Sequence, residues 1–254
     1  MEGVRAAAAS FAMEPRDVMA FCLERDIWPL RFARNRGVLD ASGQRMLLLS
    51  RVAIIGCGGL GGHVATLLAR AGIGAFTVCD PDVFDESNLN RQLLCRENNL
   101  GANKALAARD ELALVASHAD IRAHPIAVTP ANLPEILRDA RIVADCLDSL
   151  RTRRHLAEAA GRAGIPFVHG AVAGDEGFVM LSRPGRNAME TLYGTVLSTE
   201  NTAERQTGVP SISPAVVAAF QANLVIRELV GKLPEEDSLL HLDCGTPLLE
   251  IFSL

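Results

Sequence analysis

The chain of 254 residues is long enough for one large domain, or two small ones, with a substantial core. Apolar residues make up 49% and charged residues 22%, the balance of a globular protein, and scarce aromatics (4%) favour helices packed on a sheet over a sandwich. A formal net charge of −5 weighs against general nucleic-acid binding, which needs a basic surface, but leaves room for a local basic pocket.

Residues 1–30 read as helical and end at Ile27-Trp28-Pro29. Their Ala-rich start follows Glu2 and runs into Glu14-Pro15, a poor signal peptide without a convincing cleavage site. No apolar run approaches the ~18–20 residues that cross a bilayer, so the expected location is cytoplasmic, with no membrane partner. Residues 31–50 read as a basic segment, a turn at Ser42-Gly43 and a short amphipathic helix. Next come a buried strand over 52–56, a helix over 63–71 and a second strand over 75–80. Apolar runs without polar alternation point to parallel strands covered on both faces.

The pattern continues with a helix over 104–114, a strand over 121–126 and a helix over 133–138. A central strand over 141–149 carries carboxylates at its end, and a helix over 151–163 and a strand over 165–174 follow. This alternation predicts an α/β fold: a doubly wound, largely parallel, Rossmann-like sheet with ligands at the carboxyl ends of the strands. Residues 185–213 read as a long loop, of the kind that is functional or disordered. Ser213-Pro214 opens a helix to about Val230 with Gly231 as its C-cap, and the chain closes on two short strands. Cys22, Cys57, Cys79, Cys95, Cys146 and Cys244 form no C-x-x-C pair, so neither a disulfide framework nor a four-cysteine zinc site is indicated. Cys57, Cys79 and Cys146 read as small core residues.

Gly56-Cys57-Gly58-Gly59-Leu60-Gly61 fits G-x-G-x-x-G between a strand and a helix, where backbone amides and the positive helix end meet phosphates. Asp80, ending the second strand, suits ribose hydroxyls. These residues alone fit an NAD or FAD dehydrogenase as well as an ATP enzyme. Downstream, a dehydrogenase has no need of Asn88, Arg91 and Lys104. A site that breaks a triphosphate between the α- and β-phosphorus does, because fixed cations must neutralise the phosphates. Arginine brings a planar fork and lysine a point charge. Asp148 then holds Mg²⁺ through a hard oxygen, with Asp145 as the alternative. Arg151, Arg153 and Arg154 read as a solvated helix face, and His63 and His169 as satisfied structural groups.

At these residues the sequence resembles the E1-like adenylating family, which comprises MoeB, ThiF and HesA proteins and the adenylation domains of ubiquitin-activating enzymes. The resemblance runs from about residue 31 to residue 231. It includes R-F-x-R-N, G-x-G-G-L-G, D-x-D, S-N-L-x-R-Q, G-x-x-K, D-C-x-D and P-x-x-x-x-x-x-Q in order. It implies ATP on Gly56, Gly58, Gly59 and Gly61, its ribose on Asp80, and its triphosphate on Asn88, Arg91 and Lys104, with Gln92 among the binding residues. Arg91, Lys104, Asp148 (the magnesium ligand) and Arg34 are the implied catalytic set. Arg34, with Arg31 and Arg36 as rivals, corresponds to an arginine that reaches the ATP of a neighbouring subunit, so a homodimer is implied. Residues 1–50 are then a helical segment serving the dimer and its site, and residues 51–254 the ATP-binding adenylation domain.

The implied reaction is attack by the C-terminal glycine carboxylate of a small ubiquitin-like sulfur carrier (of the ThiS or MoaD kind, ending in Gly-Gly) on the α-phosphorus. An acyl-adenylate forms and pyrophosphate leaves. A carboxylate is already a nucleophile, so positioning and charge shielding suffice and no general base is needed. Three departures matter. The place of the first zinc-binding C-x-x-C pair of many members reads "NAMETLYG" and a second is missing, so no zinc is expected. No cysteine lies between residues 187 and 214, where Glu204 or Arg205 stands in place of a thioester-forming residue, so catalysis is expected to stop at the adenylate. The usual Asp-Asn is Asp148-Ser149, and serine is also a good N-cap. The rival readings are a tRNA threonylcarbamoyladenosine dehydratase-like enzyme, disfavoured by the acidic balance, a non-catalytic docking module for a ubiquitin-like protein, and, distantly, an oxidoreductase.

Overall fold

The structure is a computed structural model that describes residues 2–186, 188–194, 207–234 and 238–253. Helices α1 (Glu2–Phe11) and α2 (Pro15–Leu23), a 3₁₀ turn (Leu30–Asn35) and α3 (Ala41–Leu49) come first. Alternation follows: β1 (Arg51–Ile55), α4 (Gly59–Ala71), β2 (Ala75–Cys79), α5 (Lys104–Val115), β3 (Asp120–His124), α6 (Leu133–Ile136), β4 (Ile142–Asp145), α7 (Leu150–Ala163) and β5 (Phe167–Ala173). The chain closes with β6 (Glu176–Ser182), α8 (Ala188–Tyr193), the long helix α9 (Ile212–Leu229), β7 (Ser238–Asp243) and β8 (Leu248–Ser253).

The strands form one sheet in the order β3-β2-β1-β4-β5-β6-β7-β8. The first five are parallel and the last three antiparallel. Because successive strand residues face opposite ways, β1 sends Val52 and Ile54 to one core and Ala53 and Ile55 to the other. The first core is closed by α4, α5 and α9, through residues such as Val64, Ala108 and Val217. The second is closed by α6, α7 and α8, through Ile136, Leu156 and Met189. Met19, Ala20 and Leu23 of α2 pack with Phe32 and Leu48 in a third cluster.

Several local readings are revised. Helix α4 starts at Gly59 and so includes Gly61 and Gly62, which a propensity argument leaves out. A Cβ on Gly61 would lie 1.8 Å from the Gly56 carbonyl oxygen, so close packing rather than helix preference dictates glycine there. Ser42 and Gly43 form the first turn of α3 instead of a free turn, because the Asp40 side chain accepts the Gly43 N–H at 2.7 Å. The helix expected over 133–138 is only Leu133–Ile136. Part of the loop expected over 185–213 is helix α8. Helix α9 is, against the sequence reading, long and apolar enough to cross a membrane by length and composition. Its residues Val217, Ala222 and Val225 are instead wholly or nearly buried against the sheet. Its Glu228 holds Arg183, at the end of β6, in a forked ion pair at 2.9 and 2.7 Å. Gly231, just beyond, adopts φ +65° and donates its N–H to the Glu228 carbonyl at 3.1 Å, ending the helix as its sequence anticipates.

Candidate nucleotide-binding site

The strand order reverses between β1 and β4, and the crevice outside their carboxyl ends is where such a sheet takes ligands. Gly56 leaves β1 at φ +94°, and a Cβ there would lie 2.4 Å from the Cys146 carbonyl oxygen, so only glycine lets the turn pass the end of β4. The chain then enters α4, whose N-cap, Gly58, has no side chain to satisfy the first amides and leaves them for a ligand.

Asp80 stands at the end of β2, 6% exposed, with Oδ2 accepting the Cys57 N–H at 2.7 Å and Oδ1 the Asp82 N–H at 2.9 Å. Burial raises its carboxyl above the usual carboxylate range, against the pull of those two amides and of Lys104. Each oxygen keeps a lone pair for a further donor. The acid thus shapes the glycine turn as well as facing the crevice.

Lys104 is delivered by its own cap. The Asn103 side chain accepts from Ala105 and Leu106 N–H at 2.9 and 3.1 Å, and its Nδ2 donates to the Asp80 and Asp82 carbonyls at 3.2 and 3.0 Å. The start of α5 is thereby fastened to the end of β2. Lys104 is 8% exposed, and its Nζ lies 3.3 Å from Asp82 Oδ2. Between β2 and α5, Asp85 and Asn88 cap a 3₁₀ turn, with Asn88 Nδ2 3.1 Å from Asp85 Oδ1. Arg91 follows, its Nη1 donating to Ser87 O at 3.0 Å and Asn90 Oδ1 at 2.9 Å. The buried amide of Gln92 faces Gly58, and its Oε1 has no hydrogen-bond partner among the described residues.

At the end of β4 the two acids separate. Asp145 is wholly buried, whereas Asp148 is exposed, directly after Cys146 and Leu147, whose backbone lies against Gly56. Arg153 is not part of a solvated face. It is 5% exposed, donates from Nε to the Leu147 carbonyl at 2.9 Å and lies 3.9 Å from Asp145, so it braces the segment that ends in Asp148. Ser149 holds the N-cap position of α7 without a side-chain cap bond. Cys57 and Cys79 are buried, burial pushing the Cys79 thiol up to about 12, which fits their reading as core residues.

Arg34 is elsewhere. Its neighbour Asn35 donates to the Ala71 carbonyl at 3.3 Å, and Phe32 packs under Gly72, so this turn sits at the far end of α4. The helix has 13 residues, which separates Arg34 from the glycine turn by about 20 Å at ~1.5 Å per residue. Arg31 is tied to the Val115 carbonyl and Arg36 to Asp26 at 3.0 Å, while exposed Arg34 makes no hydrogen bond or ion pair among the described residues. Glu204 and Arg205 lie outside the described residues. A cavity of ≈ 350 Å³ near Phe167, Ser182 and Arg186 opens at the amino end of β5, away from the crevice.

The ThiF family profile matches residues 32–251. The chain belongs to the ThiF family. It is 36% identical over 198 residues to the sulfur carrier protein ThiS adenylyltransferase of Bacillus subtilis (strain 168), covering 76% of this chain and 58% of that protein. It is 36% identical over 149 residues to the probable adenylyltransferase/sulfurtransferase MoeZ of Mycobacterium tuberculosis (strain ATCC 25618 / H37Rv), covering 58% of this chain and 38% of that one. The chain thus spans 38% to 58% of the length of these curated relatives. The crystal structure of E. coli MccB with ATP matches it with a TM-score of 0.73 at 21% identity, over 88% of this chain and 71% of that one, a likeness of fold.

Within this ThiF-family chain, Gln221 of α9 was legible as a motif letter but not as a part. Its buried Nε2 donates to the Asp145 and Val168 carbonyls at 2.8 and 3.0 Å, pinning α9 to β4 and β5. Arg153 carries no sequence signal of its burial, because three nearby arginines on a helix look alike until one face is packed.

Proposed function

We propose that this protein uses ATP to adenylate the C-terminal glycine carboxylate of a small ubiquitin-like sulfur carrier, releasing pyrophosphate. The observation that supports this most is the convergence of Asp80, Lys104, Gln92 and Arg91 around the glycine turn at the sheet's reversal point. The naming of the B. subtilis relative as a ThiS adenylyltransferase supports the choice of carrier class. In this reading the turn amides and the N-terminus of α4 take phosphate oxygens, Asp80 takes ribose hydroxyls, and Lys104 and Arg91 neutralise the phosphates as the α–β bond breaks. The carboxylate needs no base, and the absence of cysteine between residues 187 and 214 supports a reaction that ends at the adenylate.

Among the described residues no three metal-ligating side chains cluster. One exposed carboxylate, Asp148, suits Mg²⁺, which binds through one or two carboxylates together with substrate phosphates and water. When bound, the ion supplies charge neutralisation at the phosphates. A homodimer in which Arg34 serves the partner's site, in the cytoplasm, completes the proposal. The far placement of Arg34 supports a role across an interface better than one within its own chain. The test is pyrophosphate exchange into ATP in the presence of a carrier ending in Gly-Gly. Exchange that persists with a truncated tail, or appears only with tRNA, would refute the proposal.

A further inference from the structure

A buried polar chain lies beneath the strand end that carries Asp148, and nucleotide binding does not use it. Asp145 Oδ2 is 2.7 Å from His169 Nδ1, and both residues are wholly buried. Burial lowers the His169 pKa from its ordinary value. Its Nε2 is 2.8 Å from the Tyr193 hydroxyl, so one ring bridges the phenol and the acid through both of its nitrogens. Asp145 Oδ1 also accepts the Leu147 N–H at 3.1 Å.

Tyr193 ends α8, and the next carbonyl, of Gly194, accepts from Arg154 Nη2 at 2.8 Å. On the other side of residues 195–206, Gly174 N–H donates to the Gly208 carbonyl at 2.9 Å, and Asn90 Nδ2 to the Val209 carbonyl at 3.1 Å. The described chain is therefore fastened at one end to β5 through His169 and to α7 through Arg154, and His169 in turn holds Asp145 at the end of β4. At the other end it is fastened to the loop that bears Arg91.

We propose that Asp145, His169 and Tyr193 form a clasp that sets α8 against the nucleotide-binding strand ends, making Tyr193 a positioning residue for the reaction. The inference rests on the adenylation proposed above. A hydroxyl used only for packing has no reason to meet a wholly buried histidine whose other nitrogen holds a wholly buried acid three residues before Asp148.

Tyr193 is the only tyrosine of the chain, so a ring-¹³C tyrosine label gives a single reporter. Saturation of the full-length protein with ATP and Mg²⁺ is expected to shift that signal. Tyr193→Phe is expected to keep the ATP Kd within about twofold and the Tm within about 3 °C. Its kcat for carrier-dependent pyrophosphate exchange should fall roughly tenfold to a hundredfold, the scale of lost positioning. His169→Gln, which keeps the phenol but cannot bridge both partners, should reproduce that loss. Full turnover in either variant, or a turnover loss in Tyr193→Phe matched by lost ATP binding or lost Tm, would overturn the clasp. So would ATP binding that leaves the tyrosine signal unmoved, and in that case the clasp alone fails. A protein that binds no ATP overturns the adenylation reading, and the clasp with it.

Discussion

Gly61 and Gly59 belong to one motif but do different physical work. Alanine at 61 would drive its Cβ into the Gly56 carbonyl oxygen at 1.8 Å, whereas at 59 the Cβ would meet only Pro214 and Arg91 side-chain carbons at 3.6 and 3.8 Å. We expect Gly61→Ala to cost about 3 kcal/mol or more, the upper range of single substitutions. Gly59→Ala should stay folded with a near-normal urea midpoint. Equal midpoints for the two variants would contradict the packing account. Lys104→Ala and Asp148→Ala should each lower pyrophosphate exchange by about 10²–10³-fold, the scale of a lost electrostatic partner, with circular dichroism unchanged. Losses of only a few-fold in both would place the chemistry elsewhere. That the motif glycines turn at the end of β1, Asp80 ends β2 and Lys104 opens α5 was legible, because each follows from the local strand-to-helix pattern. Asp145 and Asp148 were not separable, because nothing in the local pattern marks that β4 ends at Asp145 and leaves Asp148 in the exposed connection to α7.

At the level of elements, the site depends on how helices are fixed to strand ends. Asn103 ties α5 to β2, and Arg153 ties the start of α7 to the segment after β4. Gln221 performs the same service for α9, from a wholly buried position. Replacing it by leucine removes both donations and leaves those two carbonyls only the N–H groups of the β4–β5 ladder, at about 0.5–1.5 kcal/mol for each lost bond. We therefore expect Gln221→Leu to lower the unfolding free energy by about 1–3 kcal/mol in urea titrations. A loss under about 0.5 kcal/mol, the range of a surface change, would mean that water or a neighbour replaces the amide. Helix periodicity predicts that α9 exists. It says nothing of this fastening, since a glutamine on an apolar face looks like an interruption until its carbonyl partners are in place.

Across the whole molecule, the N-terminal helices pack near the α5–β3 connection, where His118 is 7% exposed and lies edge-on to Phe32 at 6.0 Å. Burial, with Arg31 and Arg16 nearby, lowers the His118 pKa from 6.5 to about 4. The unfolded chain takes up this proton as pH falls below 6.5 while the folded chain does not, so stability is full above 6.5 and declines toward about 4. Between pH 7 and pH 5, His118→Leu should lose about 2 kcal/mol less stability than the wild type, at ~1.4 kcal/mol per pH unit. Parallel losses in the two proteins would show that the histidine is not held neutral. In a second test at this scale, Arg34→Ala and Asp148→Ala chains are mixed. Recovered exchange activity is expected if one chain's Arg34 completes the other's site, and no recovery would confine each site to its own chain.

By itself the sequence determined the strand–helix alternation, the glycine turn, and the kinds of side chain gathered near it. All of these follow from local periodicity and from the chemistry of single side chains. Only the tertiary structure decided which acid is buried, which arginine braces a backbone carbonyl, and that Arg34 stands at the other end of α4 from the turn. Burial and reach depend on which faces pack together, and that is set by contacts between residues far apart in the chain.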